Sequence, residues 1–325
     1  MIIVQSPLRI SFLGGGTDFA DYYLRNGGAV LSSSIDKYIF VTIKRRFDQL
    51  FRIGYTTTET AEEVDEIKHE LIREALRKTG VRPGVEITTM GDIPSAGSGL
   101  GSSSTVTVGA LHAMYALQGE LPTAEQLARG ACQIEIETLG KPIGVQDQYA
   151  AAFGGLRFYE YRTDGSVVSE RVEVDRNTLL HLNESLMLFF TGLTRKAEGV
   201  LSEQRRNIGD RLRELDQIRD MAYEARDALC NGRIEVLGDL LDRNWELKKR
   251  LASNVSNAEI DDMYTAARNA GALGGKITGA GGGGFLLLFC PPDRRAAVRQ
   301  ALAGRQELPF ALEPNGSKVI FDYRR

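Results

Sequence analysis

The chain has 325 residues, 42% of them hydrophobic and 26% charged, with a formal net charge of −3. This composition is typical of a globular protein with one large or two ordinary domains, and it lacks the basic stripe of a nucleic-acid-binding protein. Three cysteines and three histidines are scattered without CxxC or HExxH patterns, which argues against a disulfide framework or a zinc site. No signal-peptide pattern or membrane-spanning apolar run occurs, so we expect a cytoplasmic protein without a membrane partner.

The first part of the sequence predicts strands and then a helix. Residues 2–4 and 9–13 are predicted as strands, and residues 29–44, rich in Val, Ile, Ser and Thr, as further strands. Residues 61–79 place apolar side chains at helical spacing and predict one long helix. Alternation at residues 85–89 predicts the next strand.

The middle of the sequence predicts two helices and a strand pair. A helix is predicted over residues 102–117, and Thr123 with Gln126 forms a capping box for the next helix. Residues 153–161 and 167–174 are predicted as paired strands.

The last part changes in composition. Residues 186–190 predict a buried strand, residues 196–252 a mostly charged helical block, and residues 258–269 a further helix. A strand is predicted after a glycine-rich loop, at residues 285–290. The change near residues 175–190 indicates a domain boundary.

We therefore divide the chain into domains 1–182 and 183–325, the first of which would bind the nucleotide.

The strongest chemical signal is PSAGSGLGSSS at residues 94–104. Its alternating glycines let the backbone approach a ligand, and the free N–H groups of the helix that follows favour a polyphosphate. It lacks the lysine of a Walker A loop, and a Rossmann fingerprint would follow its strand directly. A glycine-rich turn with a serine-capped helix is the alternative that needs no ligand.

Other polar residues in unusual surroundings are candidates for a site. Residues 274–284 form a second glycine loop, which predicts close packing against another loop or a ligand, with a flexible linker as the alternative. Asp147, the one acid among neutral residues, is either a helix cap or a functional carboxylate. Glu135 lies at the edge of a buried helix face. Arg9 and the GGGTD turn at residues 14–18 predict a polar pocket for a polyol.

In this order, the pieces resemble the GHMP kinases, the superfamily of galactokinase, homoserine kinase, mevalonate kinase and phosphomevalonate kinase. The matching motifs are PLRISFLGGGTD, PSAGSGLGSSS and KITGAGGGGF. With GVQDQYAAAFGG, they look most like the D-glycero-D-manno-heptose 7-phosphate kinases and the L-fucokinase domains. The resemblance implies an α+β fold, with an N-terminal domain like the second domain of ribosomal protein S5, a ferredoxin-like C-terminal domain and an active site between them.

The resemblance also implies an activity. A sugar or sugar phosphate would be phosphorylated with ATP and Mg²⁺ as cofactors; for a heptose 7-phosphate the anomeric hydroxyl would react, giving the 1,7-bisphosphate for nucleotide-activated heptose synthesis. Three alternatives are an L-fucokinase-like or other free-sugar kinase, a non-catalytic ATP-binding regulatory protein and a dehydrogenase. The sequence leaves a homodimer open.

Residue roles follow from the matching motifs. Asp147 matches the aspartate beside the attacking hydroxyl, and Arg9 the basic residue that faces it. Ser103 and Glu135 match the magnesium ligands, although Ser102, Ser104 and Glu137 leave the choice of serine and glutamate open. The expected nucleotide-binding residues are Pro94, Ser95, Ala96, Gly97, Ser98, Gly99, Leu100, Gly101, Ser102, Ser103 and Ser104. The expected substrate-binding residues, which include a cationic anchor for a sugar phosphate at Arg195, are Gly15, Gly16, Thr17, Asp18, Arg195 and Gly281.

Overall fold

The computed structural model describes residues 1–94, 97–194 and 197–323. Its strands are β1 (Ile2–Leu13), β2 (Gly28–Arg45), β3 (Phe51–Gly54), β4 (Thr58–Ala61), β5 (Val85–Gly91), β6 (Leu156–Tyr161), β7 (Val167–Arg171), β8 (Leu186–Phe190), β9 (Gly274–Ile277), β10 (Phe285–Phe289) and β11 (Lys318–Asp322). Its helices are α1 (Ala20–Asn26), α2 (Glu70–Thr79), α3 (Ser102–Gln118), α4 (Ala124–Cys132), α5 (Gln146–Phe153), α6 (Arg176–Ser185), α7 (Ala197–Asn207), α8 (Leu212–Cys230), α9 (Val236–Lys248), α10 (Ala258–Asn269) and α11 (Arg295–Ala301). Across these described segments, no helix is both long and apolar enough to cross a bilayer.

Two sheets organise the fold. Among the described residues, the larger sheet has the strand order β11-β1-β2-β5-β3-β4, and β6 pairs with both β2 and β7. The smaller sheet has the order β8-β10-β9 and is antiparallel. The long strand β2 joins two parts of the larger sheet, because its first residues pair with β6 and its last residues with β5. The α+β class that the family resemblance implies is confirmed.

Strand β1 lies at the junction of the two halves of the chain. Helices α3 and α5 of the first half pack on it, and so do α8 and α9 of the second half. Because it is covered in this way, β1 is buried at every position from Ser6 to Leu13. Polar side chains on this strand are therefore placed where the two halves meet.

The C-terminal segment connects the two sheets. The amide of Phe190 donates to the carbonyl of Gln306 (2.8 Å), whereas the amide of Glu313 donates to the carbonyl of Ser34 (2.9 Å). Strand β11 then pairs antiparallel with β1 in the larger sheet. The last residues therefore belong to the sheet of the first half, and the division at residues 182 and 183 stays a prediction.

The long helix predicted over residues 61–79 was wrong in its first half, because α2 begins only at Glu70. The Glu59 carboxylate, on β4, accepts hydrogen bonds from the backbone amides of Lys68 (2.7 Å) and His69 (3.0 Å). These bonds hold the chain in a turn before the helix. His69 then caps α2 through its ring.

Other predicted boundaries also differ from the structure: residues 29–44 lie in the single strand β2, and β6 begins only at Leu156. The strands predicted at residues 2–4 and 9–13 form the single strand β1, with a register shift against β2 between Pro7 and Leu8. The first part of the second glycine loop is strand β9, because Gly275 packs directly against β10: a Cβ atom there would lie 2.4 Å from the carbonyl oxygen of Leu287.

Candidate active site

A cleft of about 390 Å³ opens at the junction of the two halves. Strand β1 and the turn after it contribute Arg9 and Asp18, and α5 contributes Asp147. The second half contributes Lys248, the last residue of α9, and Lys276 of β9. Glycines and serines of the first glycine loop line the wall beside Arg9 and Asp147. The cleft therefore combines a backbone-rich wall with a group of charged side chains.

The first glycine loop leads directly into α3, as predicted. Gly101 is the N-cap of α3 and has a left-handed φ of 79°, which a side chain rarely adopts. A Cβ atom at Gly101 would lie 3.3 Å from Cγ of Arg9 and 3.5 Å from Cγ of Asp147. The start of α3 therefore lies directly beside these two side chains, and its free N–H groups are available to an anion.

The second glycine loop packs against the first. The Thr278 hydroxyl donates to the carbonyl of Ser98 (3.3 Å), and a Cβ atom on Gly279 would lie 2.7 Å from Cα of Gly99. The backbones approach too closely for a side chain at this point. The loop is therefore a support for the first loop, and the flexible-linker alternative was wrong.

Arg9 and Asp147 form a bidentate ion pair. Nε and Nη2 of Arg9 donate to Oδ1 and Oδ2 of Asp147 at 2.7 and 2.8 Å, and Nη1 donates to the carbonyl of Gly99 at 2.7 Å. Arg9 is buried, whereas the Asp147 side chain keeps 25% of its surface exposed. Asp147 lies in the first turn of α5 without capping it, so the helix-cap alternative was wrong. Its carboxylate is held in a fixed orientation at the cleft.

Asp18 is a second carboxylate in the cleft, and it is buried. It accepts hydrogen bonds from the amide of Gly16 (2.9 Å) and from Nε2 of Gln146 (3.1 Å). Burial raises the pKa of Asp18, the Gly16 amide opposes that change, and the charge of Asp147 adds to it. Gly144 makes room for this carboxylate, because a Cβ atom there would lie 2.0 Å from Oδ2.

The other residues of the N-terminal turn divide into two groups. Gly15 and Gly16 line the cleft with Asp18. The Thr17 hydroxyl instead donates to the carbonyls of Gly14 (2.8 Å) and Ala29 (3.0 Å), so Thr17 holds the turn together. Its role in substrate binding stays a prediction that this orientation does not support.

Glu135 is fully buried at the nearby wall of the cleft, in a π-helical turn at Gln133–Thr138. Its Oε2 accepts from Ser104 (3.1 Å) and Ser103 (3.5 Å), whereas Oε1 has no partner among the described residues. Burial raises the pKa of Glu135 to about 7, against the opposing charge of Lys141. Single-turn π-helices often occur at functional sites because the extra residue redirects a side chain.

These oxygens fit a magnesium ion. Mg²⁺ prefers oxygen ligands and is commonly held by one or two carboxylates together with substrate phosphates. Glu135 has an unpartnered oxygen for such an ion, and the exposed Ser103 hydroxyl lies beside it, whereas Glu137 is exposed and outside the cleft lining. In the described parts of the chain, no group of three or more His, Cys, Asp or Glu side chains could hold a metal ion alone. A divalent ion here would therefore depend on phosphate oxygens as well.

Comparison with known proteins decides the family. Residues 65–155 match the GHMP kinases N terminal domain, and residues 225–307 match the GHMP kinases C terminal. The chain is 33% identical to the D-glycero-alpha-D-manno-heptose 7-phosphate kinase of Campylobacter jejuni, over 94% of each sequence. The chain is a GHMP kinase. It is accordingly an ATP-dependent sugar phosphotransferase.

Two further relatives broaden the comparison. The bifunctional fucokinase/GDP-fucose pyrophosphorylase of Arabidopsis thaliana is 26% identical over 94% of this chain and 31% of its own length. The crystal structure of a D-glycero-D-manno-heptose 1-phosphate kinase from Bacteroides thetaiotaomicron has a TM-score of 0.84 and 27% identity, with full coverage of both chains. The fold of this GHMP kinase is thus that of sugar-phosphate kinases.

Several expected site residues of the GHMP kinase lie away from the cleft lining. Leu100 is buried, and its carbonyl accepts from the amide of Arg9 (3.0 Å). Pro94 is exposed, and Gly281 packs against Val255 while its neighbours Gly279 and Ala280 line the cleft. The roles assigned to these residues stay predictions. Ser95, Ala96 and Arg195 lie outside the described residues.

Sequence reasoning missed several cleft residues of the GHMP kinase, among them the buried lysines Lys248 and Lys276. Lys276 is the one charged residue in the second glycine loop, which is a signal that could have marked it. Lys248 has no such signal, because it is one of two consecutive lysines in a charged helical block. Its burial follows from the packing of α9 on β9 and β1.

Proposed function

We propose that this GHMP kinase transfers the γ-phosphoryl group of ATP to the anomeric hydroxyl of D-glycero-D-manno-heptose 7-phosphate, giving the 1,7-bisphosphate. The observation that carries the proposal is the Asp147 carboxylate, clamped by Arg9 directly beside the start of α3. The Campylobacter relative, by its name, supports a heptose phosphate as the acceptor.

The proposal assigns the two ends of the cleft to the two substrates. The nucleotide end consists of residues 97–99, residues 101–104 and Glu135, where backbone amides and a buried carboxylate meet. The acceptor end consists of charged side chains around the ion pair, namely Arg9, Asp18, Asp147, Lys248 and Lys276.

Phosphoryl transfer requires positioning and charge stabilisation more than covalent chemistry from the protein. The amides at the start of α3 would stabilise, by hydrogen bonds, the negative charge that develops on the transferred group. Asp147 would orient the acceptor hydroxyl and take its proton, and Arg9 would hold that carboxylate in place. Ser103 and Glu135 would hold Mg²⁺, which neutralises phosphate charge when it is bound.

At the acceptor end, Asp18 would accept hydrogen bonds from sugar hydroxyls. Its carboxylate is oriented by the amide of Gly16 and the side chain of Gln146, so it presents a preorganised acceptor. Gly15 and Gly16 let the sugar approach the backbone of this turn. The acceptor end thus supplies both a base and a hydroxyl-binding carboxylate.

Two other acceptors follow from the names of relatives. The structural neighbour is named as a heptose 1-phosphate kinase, and the Arabidopsis relative as a fucokinase. A heptose 1-phosphate would be phosphorylated at a hydroxyl other than the anomeric one, whereas a fucokinase acts on a free sugar. The acceptor must therefore be decided by experiment.

A substrate panel tests the proposal. The purified protein would be incubated with ATP, Mg²⁺ and one of four acceptors: heptose 7-phosphate, heptose 1-phosphate, free heptose or L-fucose. We expect ADP release to be fastest with heptose 7-phosphate, and ³¹P spectroscopy to show a new anomeric phosphate. Faster turnover of another acceptor would overturn the substrate assignment, and ATP binding without turnover of any acceptor would favour a regulatory protein.

A further inference from the structure

Two buried lysines in the wall of the cleft have no part in the mechanism described above. Lys276 is 1% exposed and Lys248 is 4% exposed, yet both line the cleft. Lysine side chains are seldom fully buried unless they are paired with an opposite charge. Two such side chains at one place therefore form a candidate site for an anion.

The partners of both amines within the protein are backbone carbonyls. Nζ of Lys276 donates to the carbonyl of Phe12 (3.1 Å), and Nζ of Lys248 donates to the carbonyls of Ile277 (3.2 Å) and Gly279. Among the described residues, neither amine forms a salt bridge with a carboxylate. An ammonium group has three donors, so each retains capacity for an acceptor from the cleft.

Three cationic groups lie close together here, namely Lys248, Lys276 and Arg9, and the carboxylates of Asp18 and Asp147 oppose them. Burial lowers the pKa of Lys248 to about 7; Arg9 adds to that change, while Asp18 and Asp147 oppose it. Burial also lowers the pKa of Lys276 well below its ordinary value, and the charges of Lys248 and Arg9 lower it further. A bound anion would relieve this repulsion and stabilise the charged form of both amines.

The position of the lysines selects the anion. Nζ of Lys276 donates to the carbonyl of Phe12, on the strand that carries Arg9, so this amine lies at the acceptor end. The charges of Asp18 and Asp147 at the same end act on Lys248. We propose that Lys248 and Lys276 bind the phosphate group that the sugar already carries before the reaction. This inference rests on the proposed function, since it requires a phosphorylated sugar as the acceptor.

A dianionic phosphate suits this pair of amines. It offers several acceptor oxygens, and charge-assisted hydrogen bonds from lysine to phosphate are stronger than neutral ones. Both amines are already oriented by their carbonyl partners, so little side-chain freedom would be lost on binding. The acceptor end would then discriminate a sugar phosphate from the free sugar.

Substitution of each lysine tests the inference. In Lys248→Met and Lys276→Met, KM for heptose 7-phosphate should rise about tenfold to a hundredfold, because a hydrogen bond to a charged group is lost. KM for free heptose should change far less, because the free sugar has no phosphate group to lose a contact. Lys249→Met is the matched control, because Lys249 is the next residue and pairs with Glu246 at the surface. Equal losses with the free and the phosphorylated sugar would overturn the inference, since they would mean that the lysines only support the second glycine loop.

A measurement on the wild-type protein tests the inference even if the lysine variants fail to fold. At about pH 8 the sugar phosphate is already a dianion, since its second pKa is about 6. Binding of heptose 7-phosphate without nucleotide should then take up protons onto the lysines. Calorimetry in two buffers of different ionisation enthalpy would measure this uptake, and free heptose should cause none. Binding without proton uptake would contradict the inference.

The wild-type kinetics separate this inference from the proposed function. If the wild type uses heptose 7-phosphate far better than free heptose, while the lysine variants keep that preference, only the lysine assignment fails. If the wild type shows no preference for the phosphorylated sugar, the proposed function fails, and the lysine assignment fails with it.

Discussion

The nucleotide end and the acceptor end of the cleft are built in different ways. The nucleotide end comes mostly from one short stretch of chain, residues 97–104, and presents backbone amides at the start of α3. The acceptor end is assembled from side chains that are remote in sequence, among them Arg9, Asp147 and Lys276. A contiguous loop can bind the same triphosphate in many kinases, whereas a composite of side chains can be changed residue by residue to select the acceptor.

The largest expected effect concerns the acceptor end. Asp147→Asn should lower kcat by about 10²–10⁴-fold, because a positioned base contributes that much to proton transfer. Binding of a fluorescent ATP analogue should be nearly unchanged, since the nucleotide end stays intact. Asp164→Asn, in an exposed turn, is the control for the substitution itself. A variant that keeps near-normal turnover would remove Asp147 from the mechanism.

The next effect concerns the metal at the nucleotide end. Burial raises the pKa of Glu135 to about 7, so this acid is protonated at lower pH and must lose its proton to bind Mg²⁺. The apparent affinity for Mg²⁺ at saturating ATP should therefore fall about tenfold for each pH unit below that value.

Titration of Mg²⁺ against activity between pH 5 and pH 8 would check this prediction. Glu135→Gln should bind the metal weakly and without the pH slope, whereas Glu137→Gln, at an exposed position, should behave like the wild type. An affinity in the wild type that does not change with pH would show that Glu135 is not a ligand.

A smaller effect is expected where the two glycine loops meet. Gly279 and Gly80 both have a left-handed φ, 63° and 67°, but only Gly279 is crowded by a neighbouring backbone. Gly80→Ala should therefore lower the free energy of unfolding by only about 1–2 kcal/mol, because the left-handed backbone strains the new side chain. Gly279→Ala should cost more and should also raise KM for ATP, because the first loop must shift. Similar stability and similar KM values for the two variants would contradict the loop contact.

The smallest expected effect is a difference between substitutions of two neighbouring serines, Ser103 and Ser104. Ser103 is exposed to the cleft, whereas Ser104 is buried and bonded to Glu135. Ser103→Ala should lower kcat/KM at limiting Mg²⁺ by about fivefold, the equivalent of one hydrogen bond of about 1 kcal/mol. Ser104→Ala should act mainly on thermal stability. The reverse pattern would make Ser104 the metal ligand.

The two ends also differ in how far the sequence could predict them. The nucleotide end is a local pattern, so the helix start at Ser102 was predicted correctly. The capping box at Thr123, outside the cleft, is also local and was also predicted correctly. The buried position of Glu135 and the exposed position of Glu137 could not be predicted, because they depend on a π-helical turn that shifts the helix face.

The acceptor end was predicted in part. Asp147 was recognisable as an acid among neutral residues, but its pairing with Arg9, 138 positions away, came only from the family resemblance. Lys248 was indistinguishable from Lys249, since the full burial of one and the partial burial of the other depend on how α9 packs on a strand formed later in the chain. Long-range packing of this kind leaves no local signal.

The most direct measurement is a crystal structure with a non-hydrolysable ATP analogue, Mg²⁺ and heptose 7-phosphate bound together. The γ-phosphate should lie against the amides at the start of α3, and the anomeric oxygen should lie about 3 Å from an Asp147 oxygen, within hydrogen-bond reach. If the triphosphate lay elsewhere, or if another sugar hydroxyl faced Asp147, the assignment of the cleft to this reaction would be contradicted.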